Sequence, residues 1–147
     1  MKTPEQYRES LREMRPNVHK FGELIKDVTS HPATSRVISG HAQIYAAQHD
    51  PQYQDIVTKL SSFSSERVSR YLTLIESMED MWANSRMKRL IFNLTGTCTG
   101  GRCVGWNSTN AMWATTWEID QERGTKYHEN LKNWLVDAQK RDISVCG

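Results

Sequence analysis

Residues 68–94, VSRYLTLIESMEDMWANSRMKRLIFNL, carry the longest apolar periodicity in the chain. Val68, Tyr71, Leu72, Ile75, Met78, Met81 and Trp82 recur at helical steps, and Met87, Leu90, Ile91 and Leu94 follow. That spacing predicts a helix with one apolar face, and Asn84-Ser85 is a candidate bend. Core packing accounts for the stripe, and its methionines call for no cofactor.

Working outward, the segments on both sides also read as helices. Thr3-Pro4-Glu5-Gln6 is a helix start, with Thr3 as cap and Gln6 reaching back to it. Pro16 stops that helix. Val18 to Val28 has helical spacing interrupted by Gly22 and reads as a short, irregular element. His31-Pro32 opens a stretch running to about Gln48, with Ile38, Ala42 and Tyr45 on one face. Tyr53, Ile56, Val57 and Leu60 predict a short amphipathic helix. Thr109 to Gln121 predicts another, ended by Gly124, and Tyr127 to Ala138 the last. The tail 142–147, DISVCG, reads as a strand with no partner. The fold class is therefore mainly α, in one domain over residues 1–147.

Composition narrows the function. The chain has 147 residues, with Lys plus Arg at 19 and Asp plus Glu at 17, a net charge of +2. Neither that balance nor any dense basic run points to nucleic acid. No apolar stretch approaches the length of a membrane span. Three cysteines and a charged start, MKTPEQYRESLREMRP, predict a reduced, cytoplasmic setting.

Residues 95–107, TGTCTGGRCVGWN, hold four glycines and two cysteines, Cys98 and Cys103. The segment reads as irregular. Thiolates suit zinc or iron–sulfur clusters, and glycines let backbone amides approach an ion or anion. Two cysteines are half of a four-ligand site, and two small buried residues at a tight turn is the bland alternative. Arg102 and Trp106 stand four apart and would share a face of any helix there, a cation beside an aromatic wall suited to a carboxylate or a planar ring. A surface arginine stacked on tryptophan is the plainer alternative. The five histidines form no pair at metal-ligand spacing.

TPEQYRESLREMRPNVHKFGELI, then HP, then RMKRL, then TGTCTGGRCVGWNSTNAMWATTWEIDQERGTKYHENLKNWL together resemble a known family. The chain is similar to the amino-terminal domain of the 4-hydroxyphenylacetate 3-hydroxylase / 4-hydroxybutyryl-CoA dehydratase flavoproteins. The resemblance covers nearly the whole chain and is densest from Met87 to Leu135. It implies the helical N-terminal domain of an acyl-CoA-dehydrogenase-like flavoprotein, ending in the first strand of a β-barrel domain that lies beyond it. It also implies FAD bound with that further domain, and an oligomer completed by the remainder of the flavoprotein.

Two branches of that family differ in this loop. The dehydratase branch uses FAD and a 4Fe-4S cluster to convert 4-hydroxybutyryl-CoA to crotonyl-CoA, and isomerises vinylacetyl-CoA. Cys103-Val104-Gly105 matches its second cluster cysteine and sequel. Cys98 would be the first, but the dehydratase spacing is one residue shorter, which leaves Cys98 open as a ligand. The remaining cluster ligands have no counterpart here. The hydroxylase branch adds a hydroxyl group to a phenol with reduced FAD, and its loop reads T-H-G-R with a tyrosine four residues later. Here Gly100 stands for the histidine and Trp106 for the tyrosine, and Gly147 aligns where a further hydroxylase histidine falls. Arg102 is common to both.

The resemblance therefore implies a dehydratase/isomerase-like part, inactive alone. Arg102 would be its catalytic residue, Arg102 and Trp106 would line the substrate or flavin pocket, and Cys103 and Cys98 would be iron ligands. The partner small molecule is an acyl-CoA, or a phenol if the chain belongs with the hydroxylases. A non-catalytic helical subunit and a zinc-binding module are the readings from other classes.

Overall fold

The structure, a computed structural model, describes residues 1–14, 16–97 and 100–145, with Gly100 and Gly101 as helix backbone. Helix α1 (Pro4–Glu13) starts as its sequence requires. The Gln6 amide donates to Thr3 Oγ1 at 3.2 Å, and the Thr3 amide donates to Gln6 Oε1 at 2.8 Å. The ambiguous segment after Pro16 is a two-residue hairpin, β1 (His19–Lys20) with β2 (Glu23–Leu24). Phe21 and Gly22 turn it with positive φ.

Helix α2 (Ser35–Ala47) packs against α1, with the Tyr45 ring stacked 4.7 Å from that of Tyr7. Tyr7, Ile25, Val28, Ile38, Ala42 and Tyr45 form one apolar cluster. The short α3 (Gln54–Val57) leads straight into β3 (Thr58–Leu60), which pairs antiparallel with β4 (Arg67–Ser69).

That pairing overturns part of the periodicity reading. Residues 68–77 are not helical. They form the end of β4, a 3-10 turn (Arg70–Leu72) and a loop. The apolar residues there are still buried, Val68, Tyr71 and Leu72 among them, because a strand and a tight turn present them to the same core. Ser77 sets the true boundary. Its hydroxyl accepts from the Asp80 amide at 3.2 Å and starts α4 (Met78–Thr95), which runs through Asn84-Ser85 unbroken to Gly96 at φ +66°.

Buried Arg70 ties this region together. Its Nε donates to Ile56 O at 2.9 Å, its Nη2 to Thr58 O at 2.9 Å, and its Nη1 lies 3.7 Å from Asp80 Oδ1. Asp80 Oδ2 also accepts from Lys59 Nζ at 2.8 Å.

The glycine-rich segment brings a second correction. Helix α5 spans Gly100–Arg123, so Gly100 to Asn107 is helical rather than irregular. Glycine lowers helix propensity, but burial of Arg102 and Trp106 and the tail's close approach to Gly105 hold the turns in place. Gly124, at φ +64°, ends α5, and α6 (Tyr127–Arg141) returns along it. The larger core cluster is Ile44, Ala47, Val57, Tyr71, Met87, Ile91 and Trp106. Residues 143–145 are not a strand. Among the described residues no strand pairs with them, and they lie instead against Arg102 and Gly105 in the first turns of α5. Among the described residues, no helix is long and apolar enough to cross a membrane.

Candidate functional site

Three of the four expected site residues come together in the first turns of α5. Cys98 lies outside the described residues, as does Gly147.

Arg102 is 1% exposed, which overturns its reading as a surface arginine. Its Nη2 donates to Asp142 Oδ1 at 3.0 Å, and its guanidinium carbon lies 4.6 Å from the Tyr45 ring centre and 5.3 Å from that of Tyr71. Its aromatic walls are therefore these two tyrosines, and the cation beside Trp106 is Lys88, 5.9 Å from the ring. Arg102 Nε and Nη1 are buried without a hydrogen-bond partner among the described residues.

Asp142 is the residue the sequence did not single out. It caps α6 in the left-handed conformation, at φ +45°, and is 1% exposed. Its Oδ2 accepts from Gln48 Nε2 at 2.8 Å and from the Lys2 amide at 3.0 Å. The Tyr45 hydroxyl reaches the Asp142 carbonyl at 3.3 Å and Ser144 Oγ at 3.1 Å. One carboxylate thus joins the first residues of the chain, α2, α5 and the end of α6. No local motif marks it. The only sequence trace is an aspartate after a helix whose last turn is basic, Lys140-Arg141.

The surroundings feel this charge pair. Burial, with the Arg102 charge second, holds the His41 imidazole below its usual pKa. Burial likewise lowers the Lys2 ammonium, against the pull of Asp142.

Trp106 is also 1% exposed. Its Nε1 donates to Thr73 O at 2.6 Å, and Asn110 Nδ2 shares that acceptor at 3.3 Å. Between Arg102 and Trp106, Gly105 lets the tail in. A Cβ there would collide with the Val145 carbonyl and lie 2.6 Å from Val145 Cβ. Cys103 is a free, partly buried thiol packed against the larger core cluster.

The residues fit the implied groups only in part. Cys103 offers one thiolate, and no group of three or more His, Cys, Asp or Glu gathers for a metal among the described residues. An apolar cavity of about 330 Å³ lies between α1, α2 and the loop residues on either side of the hairpin, lined by residues such as Tyr7, Leu11, Val18 and Ile38. Neither Arg102 nor Trp106 borders it. A cluster or a flavin held here would draw its other contacts from outside the described residues.

A family model described as 4-hydroxyphenylacetate 3-hydroxylase N terminal matches residues 3–147. The chain belongs to that family. A member from Clostridium aminobutyricum, 4-hydroxybutyryl-CoA dehydratase/vinylacetyl-CoA-Delta-isomerase, is 39% identical over 99% of the chain. The 4-hydroxyphenylacetate 3-monooxygenase oxygenase component of Escherichia coli is 32% identical over 92% of it. The chain spans 29% of the length of each of these relatives.

Among solved structures of the family, an oxygen-tolerant archaeal 4-hydroxybutyryl-CoA dehydratase from N. maritimus superimposes with a TM-score of 0.91 at 31% identity. That match covers 97% of this chain and 28% of the other. A 4-hydroxyphenylacetate 3-monooxygenase oxygenase component complexed with FAD gives a TM-score of 0.77 at 20% identity, over 98% of this chain and 29% of that one, a likeness of fold. The mainly helical architecture is therefore that of the N-terminal domain of these flavoproteins.

Proposed function

We propose that this chain forms the N-terminal domain of a flavin-dependent 4-hydroxybutyryl-CoA dehydratase/vinylacetyl-CoA isomerase-like enzyme. The observation that carries the reading is its 39% identity with the Clostridium dehydratase over 99% of the chain, against 32% over 92% with the E. coli hydroxylase component. Trp106 supports it. Where the resemblance gives the hydroxylases a phenolic hydroxyl, this side chain has only an N–H, and that N–H is bound to Thr73.

In such an enzyme FAD supplies hydrogen abstraction and return, and a 4Fe-4S cluster supplies Lewis acidity. Within this chain Cys103, with Cys98, would contribute thiolate ligands, and Arg102 and Trp106 would border the pocket. The other ligands and the flavin contacts would come from the rest of the flavoprotein, in the same subunit or a partner subunit of an oligomer. Exposed Met78, Trp82 and Phe92 on α4 and Met112 and Trp117 on α5 supply apolar surface for that packing. The free thiol suits a reduced, cytoplasmic setting.

The test is anaerobic iron–sulfide loading of the chain together with the flavin-bearing remainder of a relative. Cluster absorbance that depends on Cys103, with crotonyl-CoA formed from 4-hydroxybutyryl-CoA only by the combination, is the expected result. A flavin-only assembly that hydroxylates 4-hydroxyphenylacetate when given reduced FAD and then dioxygen would move the chain to the hydroxylase branch. An assembly that binds neither group would make it a non-catalytic domain.

A further inference from the structure

Phe21 stands at the tip of the β1–β2 hairpin and is 95% exposed. Its φ is +52°, a left-handed value that a bulky side chain adopts only at a cost, and Gly22 follows at φ +83°. A two-residue turn of this kind takes Asn-Gly without that strain. The ring's charged neighbour is the residue before it, Lys20 Nζ at 5.4 Å, and a ring so exposed gains no packing among the described residues to offset the turn. At the root of the same hairpin lies the apolar cavity of about 330 Å³, with Leu11, Val18, Val28 and Ile38 in its wall and Val37, itself exposed, at its mouth. An apolar cavity of about 150 Å³ holds a benzene ring, so this one admits a phenyl side chain. Thr34, also in the wall, spends its hydroxyl on Val28 O at 2.5 Å, which leaves the cavity suited to an apolar group.

Phe21 does not fill the cavity of its own chain. The Ile25 amide donates to Val18 O at 2.8 Å, and the pairs His19–Leu24 and Lys20–Glu23 hold the tip about 10 Å from the root. We propose that the hairpin and this cavity form a two-fold interface between two copies of this chain, each Phe21 entering the cavity of the other copy. A two-fold axis fills both cavities and covers both rings at once, and leaves neither to propagate. Lys20, beside the tip, then approaches Asp27, the neighbour of Val28. Asp27 is only loosely paired in its own chain, since Arg12 lies 3.8 Å from it and 2.9 Å from Glu9. Two aromatic rings bury about 300–500 Å², and the walls they cover bring the total to about 600–1,000 Å², the size of a weak, reversible contact. The interface uses neither flavin, cluster nor Arg102, so it stands or falls separately from the dehydratase assignment.

Sedimentation equilibrium of the chain, from about 10 μM to about 1 mM, tests this, and a reversible monomer–dimer equilibrium is expected. Phe21→Asn removes the ring and gives the turn its preferred Asn-Gly pair, so the fold is kept. Val37→Arg blocks the cavity mouth at an exposed position. Each variant alone should weaken the dimer at least about tenfold. An equimolar mixture of the two regains one of the two contacts, because one variant keeps its cavity and the other its ring. The mixture should therefore associate more tightly than either variant alone. A wild type that stays monomeric throughout, association that either variant leaves unchanged, or a mixture no tighter than its parts overturns the inference.

Discussion

Replacing Asp142 by alanine is the most severe single test of this fold. Asp142 and Arg102 are both 1% exposed and 3.0 Å apart, so the substitution leaves a guanidinium buried without its counter-charge. Breaking a buried pair from one side costs about 3–5 kcal/mol. Gln48 Nε2 and the Lys2 amide lose their acceptor in the same step, and alanine tolerates the left-handed φ of +45° less well than aspartate. We therefore expect the upper part of that range. For a chain of this size that upper part, about 4–5 kcal/mol, corresponds to a fall in Tm of roughly 8–20 °C.

Urea denaturation followed by far-ultraviolet circular dichroism at neutral pH measures it, within a double-mutant cycle with Arg102→Met. Methionine fills much of the same volume without the charge, so the double variant should be more stable than Asp142→Ala alone, with a coupling of about 2 kcal/mol or more. A loss below about 1 kcal/mol, or a cycle additive to within about 0.5 kcal/mol, would refute the buried pair.

Three further outcomes are expected. Gly105→Ala should destabilise by about 1–3 kcal/mol despite its better helix propensity, because the new methyl meets Val145 backbone; an unchanged or raised thermal midpoint would contradict that close approach. Trp106→Phe should lose about 1–3 kcal/mol in denaturant titration through the lost Nε1–H bond to Thr73 and the volume removed, and a neutral result would mean the indole is not enclosed as described. Stability should fall as pH drops below 6.5, since His41 has a lowered pKa when folded and the unfolded chain takes up the proton first. His41→Gln should flatten that limb in urea titrations at several pH values, while the acid limb from Asp80 remains. Although burial raises the Asp80 carboxyl, its hydrogen bonds, that from Lys59 foremost, hold it low on balance, so its stabilisation is lost as pH falls from its unfolded value of 3.8 through the folded one. Equal slopes for wild type and the His41→Gln variant below pH 6.5 would dismiss this account.

The helices were legible where local chemistry decides them. Thr3 with Gln6 and Gly124 mark their boundaries in any context, because caps and left-handed stops act within a turn. The misread segments are those where distant residues decide. Val68 to Ile75 has helical spacing, yet Thr58 to Leu60 offers a strand edge and Ser77 offers a better cap. The glycines at 100–105 argue against helix locally, but burying Arg102 and Trp106 outweighs about 1 kcal/mol per glycine. Arg102, Trp106 and Cys103 could be named from the sequence because they sit in one short segment. Asp142 could not, since its partners are Lys2, Gln48 and Arg102, and only the folded chain brings them together.

That same carboxylate has a kinetic meaning. The Lys2 amide and Asp142 are 140 positions apart. Joining such distant points in an unstructured chain costs on the order of 4 kcal/mol of entropy. The knot therefore closes after the helices have assembled, and it opens first when they loosen. Lesions in it should hasten unfolding and leave the refolding rate nearly untouched. Exchange of the single Lys2 amide proton then serves as a local clock for how long the surroundings of Arg102 stay closed.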